Sequence, residues 1–336
     1  MKNNSISLIR AIATCMIVSC HILQGLGNEL AFWMNIGVQI FLCMSGYLYG
    51  KKEIKGVTAW YKRQYFKIML PMWILATVVI LVMNLMKEKI AISSIIFTYL
   101  GIAEFRTIPI LTHTWFITYI LLCYLITPLL QMIDIEKTEK KWHFCFEIAG
   151  IILVMAFLQL GNLIQIMPQY IACYIVGYFF ARRETKTGGK REIKELTIFL
   201  AVIAVLTLPI RLYIQYGSGG ITWSGWSAVQ TQITQWHHSL LGIVLFFGML
   251  FLFEKIHIRE NRVVQYFDKS SYSIYLVHQI FILNTFSLLE VTDFLFVNII
   301  VIIAVVCVSA FLLDKATALV KKYFLYSKIK KLKGCD

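Results

Sequence analysis

Charged residues are scarce in this chain. Asp, Glu, Lys and Arg make up 15% of its 336 residues, and only 5 residues are proline. Soluble domains carry about 25% charged residues, so most of this chain cannot form a water-facing surface. Hydrophobic residues reach 59% and the mean hydropathy is +0.71, which indicates an integral membrane protein. No stretch between the apolar runs is long enough for a soluble catalytic domain.

Motifs that hold metals or disulfides are also missing. The 8 cysteines include no CxxC pair, and the histidines show neither HxxxH nor HExxH spacing. Those spacings are typical of zinc sites and redox pairs. We therefore expect no metal, and we expect packing roles for most of the cysteines.

Long apolar runs recur along the chain, each near the length of about 20 residues that a helix needs to cross a bilayer. The predicted class is all-α, a polytopic transmembrane bundle of about ten helices. The predicted spans are 5–25, 31–50, 67–86, 111–131, 144–161, 163–181, 195–214, 238–254, 271–289 and 293–314. The segment 90–105 is shorter, and we predict a re-entrant or interfacial piece there. Residues 1–316 would form the transmembrane domain and 317–336 a basic cytoplasmic tail.

Acidic residues are few as well, 18 against 32 Lys and Arg, which gives a net charge of +14. With ten spans, 27 of the 32 basic residues fall in segments on one side, which the positive-inside rule assigns to the cytoplasm. Both termini are therefore predicted to be cytoplasmic, in a multi-pass protein of the plasma membrane. The excess charge meets anionic lipid headgroups, and we expect no nucleic-acid partner.

The long loop 215–238, on the predicted outer side, contains no Asp, Glu, Lys or Arg. Its aromatic and hydroxyl side chains suit contact with an uncharged, hydroxyl-rich ligand such as a sugar. Trp223, Trp226 and Trp236 equally suit a role as interfacial anchors. Both interpretations stay open.

Two ionisable residues lie inside the first predicted span, in the stretch RAIATCMIVSCH at 10–21. Arg10 and His21 are eleven residues apart, about 20° beyond three helical turns, so they share one face of the helix. Their axial separation is about 16 Å, which excludes a direct pair. Ionisable groups at this depth are costly and usually functional. A guanidinium binds phosphate and an imidazole accepts a proton near pH 7, so the pair fits a donor anchor and a base.

Other histidines help to locate a site. Three of them open predicted spans from the outside, near the depth of His21: His113, His237 and His238. His278 lies about two turns into the predicted span 271–289, counted from the inside.

Five segments resemble, in chain order, signatures of the acyltransferase 3 family of integral membrane acyltransferases. Arg10 and His21 occupy the two positions of its R-x10-H signature. The segments are SLIRAIATCMIVSCH at 7–21, GVQIFLCMSGYL at 37–48, YKRQYFKIMLPMW at 61–73, HTWFITYILLCYLITPLL at 113–130 and SYSIYLVHQIFI at 271–282. The resemblance implies a ten-helix core and transfer of an acyl group, usually acetyl from cytoplasmic acetyl-CoA, to an extracytoplasmic carbohydrate or glycolipid.

The resemblance also implies residue roles. His21 would be the general base or would briefly carry the acyl group, and Arg10 would face the donor. Arg63 and Lys67 would bind the CoA diphosphate, although this chain lacks the family's usual R-x-x-R spacing there and a positive-inside loop explains the same charges. The predicted substrate-binding residues are His113, Trp115, Ser45, Tyr275 and His278. Ser45 also suits a packing role at a helix crossing and is not proposed as a nucleophile.

A surface polysaccharide, such as a capsule, is the leading acceptor, with peptidoglycan, lipid-linked oligosaccharide and succinyl transfer left open. An oligomer or a separate partner protein is compatible with this chain. The rival function is a transporter or flippase for a glycolipid or polar solute, since buried Arg and His suit that role too. Transporters are often built from two similar halves, and 1–160 shows no convincing repeat in 161–336. A non-catalytic membrane sensor or assembly protein is a third possibility.

Overall fold

Helices form every regular element of the computed structural model, which describes residues 4–133, 141–160, 166–217, 225–256, 259 and 261–333. The α-helices are α1 (Asn4–Gly25), α2 (Ala31–Met34), α3 (Ile36–Gly50), α4 (Val57–Leu85), α5 (Ile92–Leu100), α6 (Trp115–Met132), α7 (Lys141–Leu160), α8 (Pro168–Thr187), α9 (Lys190–Leu212), α10 (Trp226–Ile256), α11 (Arg262–Val277) and α12 (Leu295–Lys333). Short 3₁₀ helices at Pro109–Thr114 and His278–Phe281 and a short π-helix at Tyr213–Gly217 are the other helical elements of the described residues. The predicted all-α class is confirmed.

Seven helical stretches in the described part of the chain are long and apolar enough to cross a membrane. They are Asn4–Gly25, Ala31–Gly50, Val57–Leu85, Pro109–Met132, Lys190–Gly217, Trp226–Ile256 and Leu295–Tyr323. The other three predicted spans overlap α7, α8 and α11, which fall outside that criterion, and residues 161 and 163–165 of the spans 144–161 and 163–181 lie outside the described residues. The count of ten and the cytoplasmic termini stay predictions.

Several helices extend beyond the predicted spans. α4 begins ten residues before the predicted start at 67, and α10 begins twelve residues before 238. α12 continues past the predicted boundary between 316 and 317. Counting apolar residues marks only the part of a helix that suits hydrocarbon, so polar helical extensions into water are not detected.

The predicted continuous helix at 271–289 is wrong. α11 ends at Val277, one 3₁₀ turn follows from His278 to Phe281, and the chain then runs without regular structure to Phe294. Polar side chains hold this irregular segment, since Asn284 Nδ2 donates to the carbonyl oxygens of Ile110 and Gln279 at 3.2 and 3.1 Å. The Asn284 amide thereby satisfies backbone carbonyl oxygens, including that of Gln279, which a continuous helix would have satisfied internally.

Within the segment 90–105, α5 is nine residues long, which gives a helix of about 14 Å. It is too short to cross a bilayer. Its C-terminus ends at Gly101 in the left-handed conformation, with φ 78°. Trp73 Nε1 of α4 donates to the carbonyl oxygen of Tyr99 at 2.8 Å and fixes α5 against α4.

The chain divides into two units. The first comprises Met1–Met16, Met34–Val57 and Leu122–Asn261, and the second comprises Ile17–Trp33, Thr58–Leu121 and Arg262–Asp336. The main helix pair of the first unit is α3 with α8, and glycines bring the two backbones together. A Cβ on Gly46 would lie 2.0 Å from Tyr174 O, and one on Gly177 would lie 2.1 Å from Cys43 O. Only glycine permits this close crossing.

One end of the first unit is rich in ion pairs. Glu184 accepts the Tyr47 hydroxyl at 2.8 Å and lies 3.4 Å from Lys51 Nζ. The buried Arg183 lies 2.9 Å from Glu192. These residues belong to the end predicted to face the cytoplasm, where basic residues are concentrated.

Candidate active site

His21 lies in the last turn but one of α1, which runs unbroken from Asn4 to Gly25. The imidazole is partly exposed, and its Nδ1 lies 3.0 Å from Gln24 Oε1. An amide oxygen only accepts, so Nδ1 of His21 carries the proton in this contact and Nε2 presents a lone pair. Gln24, three residues along the same helix face, therefore sets the tautomer of His21.

His113 lies in the 3₁₀ helix Pro109–Thr114, which begins with proline at a position that requires no backbone N–H. The side chain is buried, and both ring nitrogens contact oxygen atoms of the protein. Nδ1 lies 2.7 Å from Gln279 Oε1, and Nε2 lies 2.9 Å from Leu276 O. The backbone N–H of His113 also donates to Gln279 Oε1 at 2.9 Å, which identifies that atom as the amide oxygen.

His278 begins the 3₁₀ turn that follows α11 and is completely buried. Its Nδ1 lies 2.6 Å from the carbonyl oxygen of Tyr275, so Nδ1 carries a proton. Nε2 is buried and has no hydrogen-bond partner among the described residues. A buried acceptor of this kind is rare in native proteins and indicates a place for a ligand or water.

The second unit brings these three histidines together from three separate elements. The ring centroids of His21 and His278 are 5.0 Å apart, and those of His113 and His278 are 5.2 Å apart. Two further contacts involve Tyr275, whose ring is 5.4 Å from that of His113 and whose hydroxyl donates to the His113 carbonyl oxygen. We name His21, His113 and His278 the histidine cluster.

Gln279 holds the cluster in place and was missed by sequence reasoning. Its amide oxygen contacts the backbone N–H and Nδ1 of His113 and accepts the Thr112 hydroxyl at 3.1 Å. It thereby joins the two 3₁₀ turns that carry His113 and His278. The sequence signal for Gln279 was its position next to His278 in an apolar run. Gln24 was missed as well, and its signal was the i, i+3 spacing from His21.

The remaining predicted residues lie as follows. Trp115 follows the His113 turn and packs edge-on against Tyr119, with ring centroids 5.6 Å apart. Arg63 and Lys67 are exposed on the N-terminal half of α4. Beside Lys67, Ile68 O accepts the Tyr272 hydroxyl at 2.9 Å, which marks the contact between α4 and α11.

Arg10 and Ser45 belong to residue ranges of the first unit. Arg10 is partly exposed on the same continuous helix as His21, with the eleven-residue spacing predicted from sequence. Ser45 lies on α3 beside Gly46, the residue of closest approach to α8, which suits the packing role.

An apolar pocket of about 460 Å³ in the second unit adjoins the turns that carry His113 and His278. Ile110 and Ile280 line it from those turns, Val277 from the end of α11, and Leu312 and Val78 from α12 and α4. The described residues contain no group of three His, Cys, Asp or Glu side chains placed to hold a metal ion.

An all-helical, multi-pass membrane protein with three imidazoles converging on one point is the class that fold and site define. The family model described as an acyltransferase domain matches residues 3–314. The chain therefore belongs to the acyltransferase 3 family of membrane acyltransferases, and the resemblance seen in the sequence is confirmed. No curated protein and no solved structure matches the chain.

Proposed function

We propose that this chain transfers an acetyl or similar short acyl group from cytoplasmic acyl-CoA to a hydroxyl of an extracytoplasmic carbohydrate. The proposed acceptor is a capsular or other cell-surface polysaccharide. The proposed location of the chain itself is the plasma membrane. The observation that supports the proposal most is the convergence of His21 and His278, each with Nδ1 committed to a protein oxygen and Nε2 directed elsewhere.

His21 is the proposed general base. Its Nε2 takes the proton of the acceptor hydroxyl while that oxygen attacks the acyl carbonyl carbon. The carbon–sulfur bond of the thioester then breaks, and the CoA sulfur leaves as a thiolate that takes up a proton. Transfer through a transient acyl group on His21 Nε2 gives the same products and uses the same tautomer.

The other two histidines have different proposed roles. His278 Nε2 is buried, lacks a protein partner among the described residues, and is proposed to accept a hydrogen bond from a second, unreacting hydroxyl of the acceptor sugar. His113 Nδ1 contacts Gln279 and His113 Nε2 contacts Leu276, so neither ring nitrogen is directed at the substrate. We therefore assign His113 a positioning role. Tyr275, which holds the His113 carbonyl, has the same role, and Trp115 is proposed to line the site.

The donor contacts are proposed on charge. Arg63 and Lys67 of α4 are the cations that we assign to the diphosphate of CoA, because guanidinium and ammonium groups bind phosphate strongly. Arg10 of α1 is assigned to the donor by the resemblance to the family. The eleven-residue spacing of Arg10 and His21 corresponds to about 16 Å of helix, a length that an extended pantetheine arm can cover.

Replacement of His21 with alanine tests the proposal. We expect acyl esters on the cell-surface glycan to disappear in this variant, while the level of the protein and the export of the glycan stay as in the wild type. His143→Ala, an exposed histidine of α7, is the matched control and should leave acylation unchanged. Loss of glycan export together with acylation would instead favour the transporter or flippase.

A further inference from the structure

Four buried polar side chains of the first unit take no part in the proposed reaction. Gln39 and His238 are 0% exposed, Arg211 is 1% exposed and His237 is 5% exposed. They lie on α3, α9 and α10, inside stretches apolar enough to span the membrane. Ionisable residues buried inside membrane-spanning stretches are rare and usually mark functional sites.

α9 and α10 place the arginine and the two histidines together. His237 Nε2 lies 3.2 Å from Ala204 O, and Ala204 is seven residues, about two turns, before Arg211 on the same face of α9. Arg211 lies within electrostatic range of both His237 and His238. Because a carbonyl only accepts, His237 carries its proton on Nε2. Its Nδ1 is a buried acceptor with no partner among the described residues.

α3 contributes Gln39, which packs against α10 one helical turn from His238. A Cβ on Gly242 would lie 2.3 Å from Gln39 Cβ, so this glycine lets α3 approach α10 at Gln39. His238 is one helical turn before Gly242 on the same face of α10. Neither amide atom of Gln39 has a hydrogen-bond partner among the described residues. A buried amide without partners is costly, and a bound ligand supplies what it lacks.

The charge at this end of α9 and α10 is positive. The acidic residues of the two helices lie toward their opposite ends, where Glu192 meets Arg183 and Glu254 meets Lys190. Glu195, the acidic residue of α9 nearest to Arg211 along the chain, is sixteen residues before it, which is about 24 Å of helix, and it pairs with Arg191. Glu254 is sixteen residues after His238, which is about 24 Å. An anionic ligand complements this arrangement.

We propose that Arg211, Gln39, His237 and His238 form a binding site for an acidic sugar. Arg211 and the Gln39 amide N–H donate to an oxyanion, either a carboxylate or a phosphate. His237 Nδ1 and the Gln39 amide oxygen accept hydrogen bonds from neighbouring sugar hydroxyls. The inference rests on the proposed function in one respect, since it makes the acyl acceptor a glycan that carries an anionic unit.

Thermal unfolding of the purified full chain in lipid nanodiscs tests this site. The probes are glucuronate, glucose 1-phosphate and uncharged glucose, each titrated at constant ionic strength. We expect glucuronate or glucose 1-phosphate to raise Tm in a saturable way and glucose to have no effect, because only a ligand of the folded state stabilises it. The acidic probe that binds distinguishes a carboxylate site from a phosphate site. An equal response to glucose, or no response to any probe, overturns the proposal.

Gln39→Leu is the decisive variant, because leucine has a similar size and needs no hydrogen-bond partner. Without a probe, its Tm should equal or exceed that of the wild type, and its apparent affinity for the acidic probe should fall at least tenfold. A lower Tm with the probe response retained would make Gln39 a packing residue and overturn the proposal.

His21→Ala separates this inference from the proposed function. That variant should lose acyl transfer and keep the full response to the acidic probe. A probe response in a wild-type chain that shows no acyl transfer would leave the anion site standing without the proposed reaction. Acyl transfer in the wild type without any probe response would support the proposed reaction and overturn the anion site.

Discussion

Replacing Gln279 with leucine removes the amide oxygen that joins the two turns of the histidine cluster. In the wild type this oxygen contacts the backbone N–H of His113 at 2.9 Å and His113 Nδ1 at 2.7 Å, and both groups are buried. The Thr112 hydroxyl is its third contact and belongs to an exposed residue, so water can replace it. The variant therefore leaves two buried polar groups without their partner.

Each buried group that loses its partner costs about 1–3 kcal/mol. Small movements of the two turns recover part of this energy, so we expect Gln279→Leu to lower the free energy of unfolding by about 2–4 kcal/mol. The measurement is reversible unfolding in mixed detergent micelles, followed by tryptophan fluorescence.

Gln24→Leu is the matched control for stability. Gln24 is exposed and its side-chain amide contacts the partly exposed His21, so its replacement should change the free energy of unfolding by about 0.5 kcal/mol or less. Equal losses in the two variants, or no loss in Gln279→Leu, would refute the reasoning that Gln279 joins the turns.

Two further predictions follow from packing and burial. Gly46→Ala should destabilise the chain by about 1–3 kcal/mol because the new Cβ meets the Tyr174 carbonyl oxygen, whereas Gly248→Ala, with open space around it, should not; unfolding titrations of both variants check this. Glu104 lies in the loop before the 3₁₀ helix Pro109–Thr114, where burial raises the pKa of its carboxyl group. The hydrogen bond from the Tyr119 hydroxyl lowers this pKa by a smaller amount. The folded chain therefore binds this proton more tightly than the unfolded chain. Its contribution is complete below the ordinary pKa of glutamate and is lost as pH rises through the raised value, so Glu104→Gln should remove this loss from a plot of Tm against pH.

The sequence was sufficient to predict the helical class and the placement of Arg10 and His21 on one face of a continuous helix. Both depend on local periodicity, which a bilayer reinforces because every backbone polar group must be satisfied within its own helix. The role of His278 was only partly accessible. Its depth was predicted from a continuous helix, whereas the real helix ends at Val277 because Gln279 and Asn284 bond to the Pro109–Thr114 turn and its neighbours.

Such long-range side-chain bonds leave no periodic signal in the sequence. Gln39 and Arg211 are likewise polar residues in apolar runs, and their proposed place in one site depends on how α3, α9 and α10 pack. The contact of Gln24 with His21, in contrast, was predictable, because residues three apart on a helix lie side by side.

The central claim is acyl transfer to a cell-surface carbohydrate. The most direct measurement is NMR spectroscopy of that glycan, purified from cells with the gene, from cells without it, and from cells that express His21→Ala at the wild-type level. We predict acyl ester signals on the glycan only in the first sample. The same ester signals in all three samples would contradict the account.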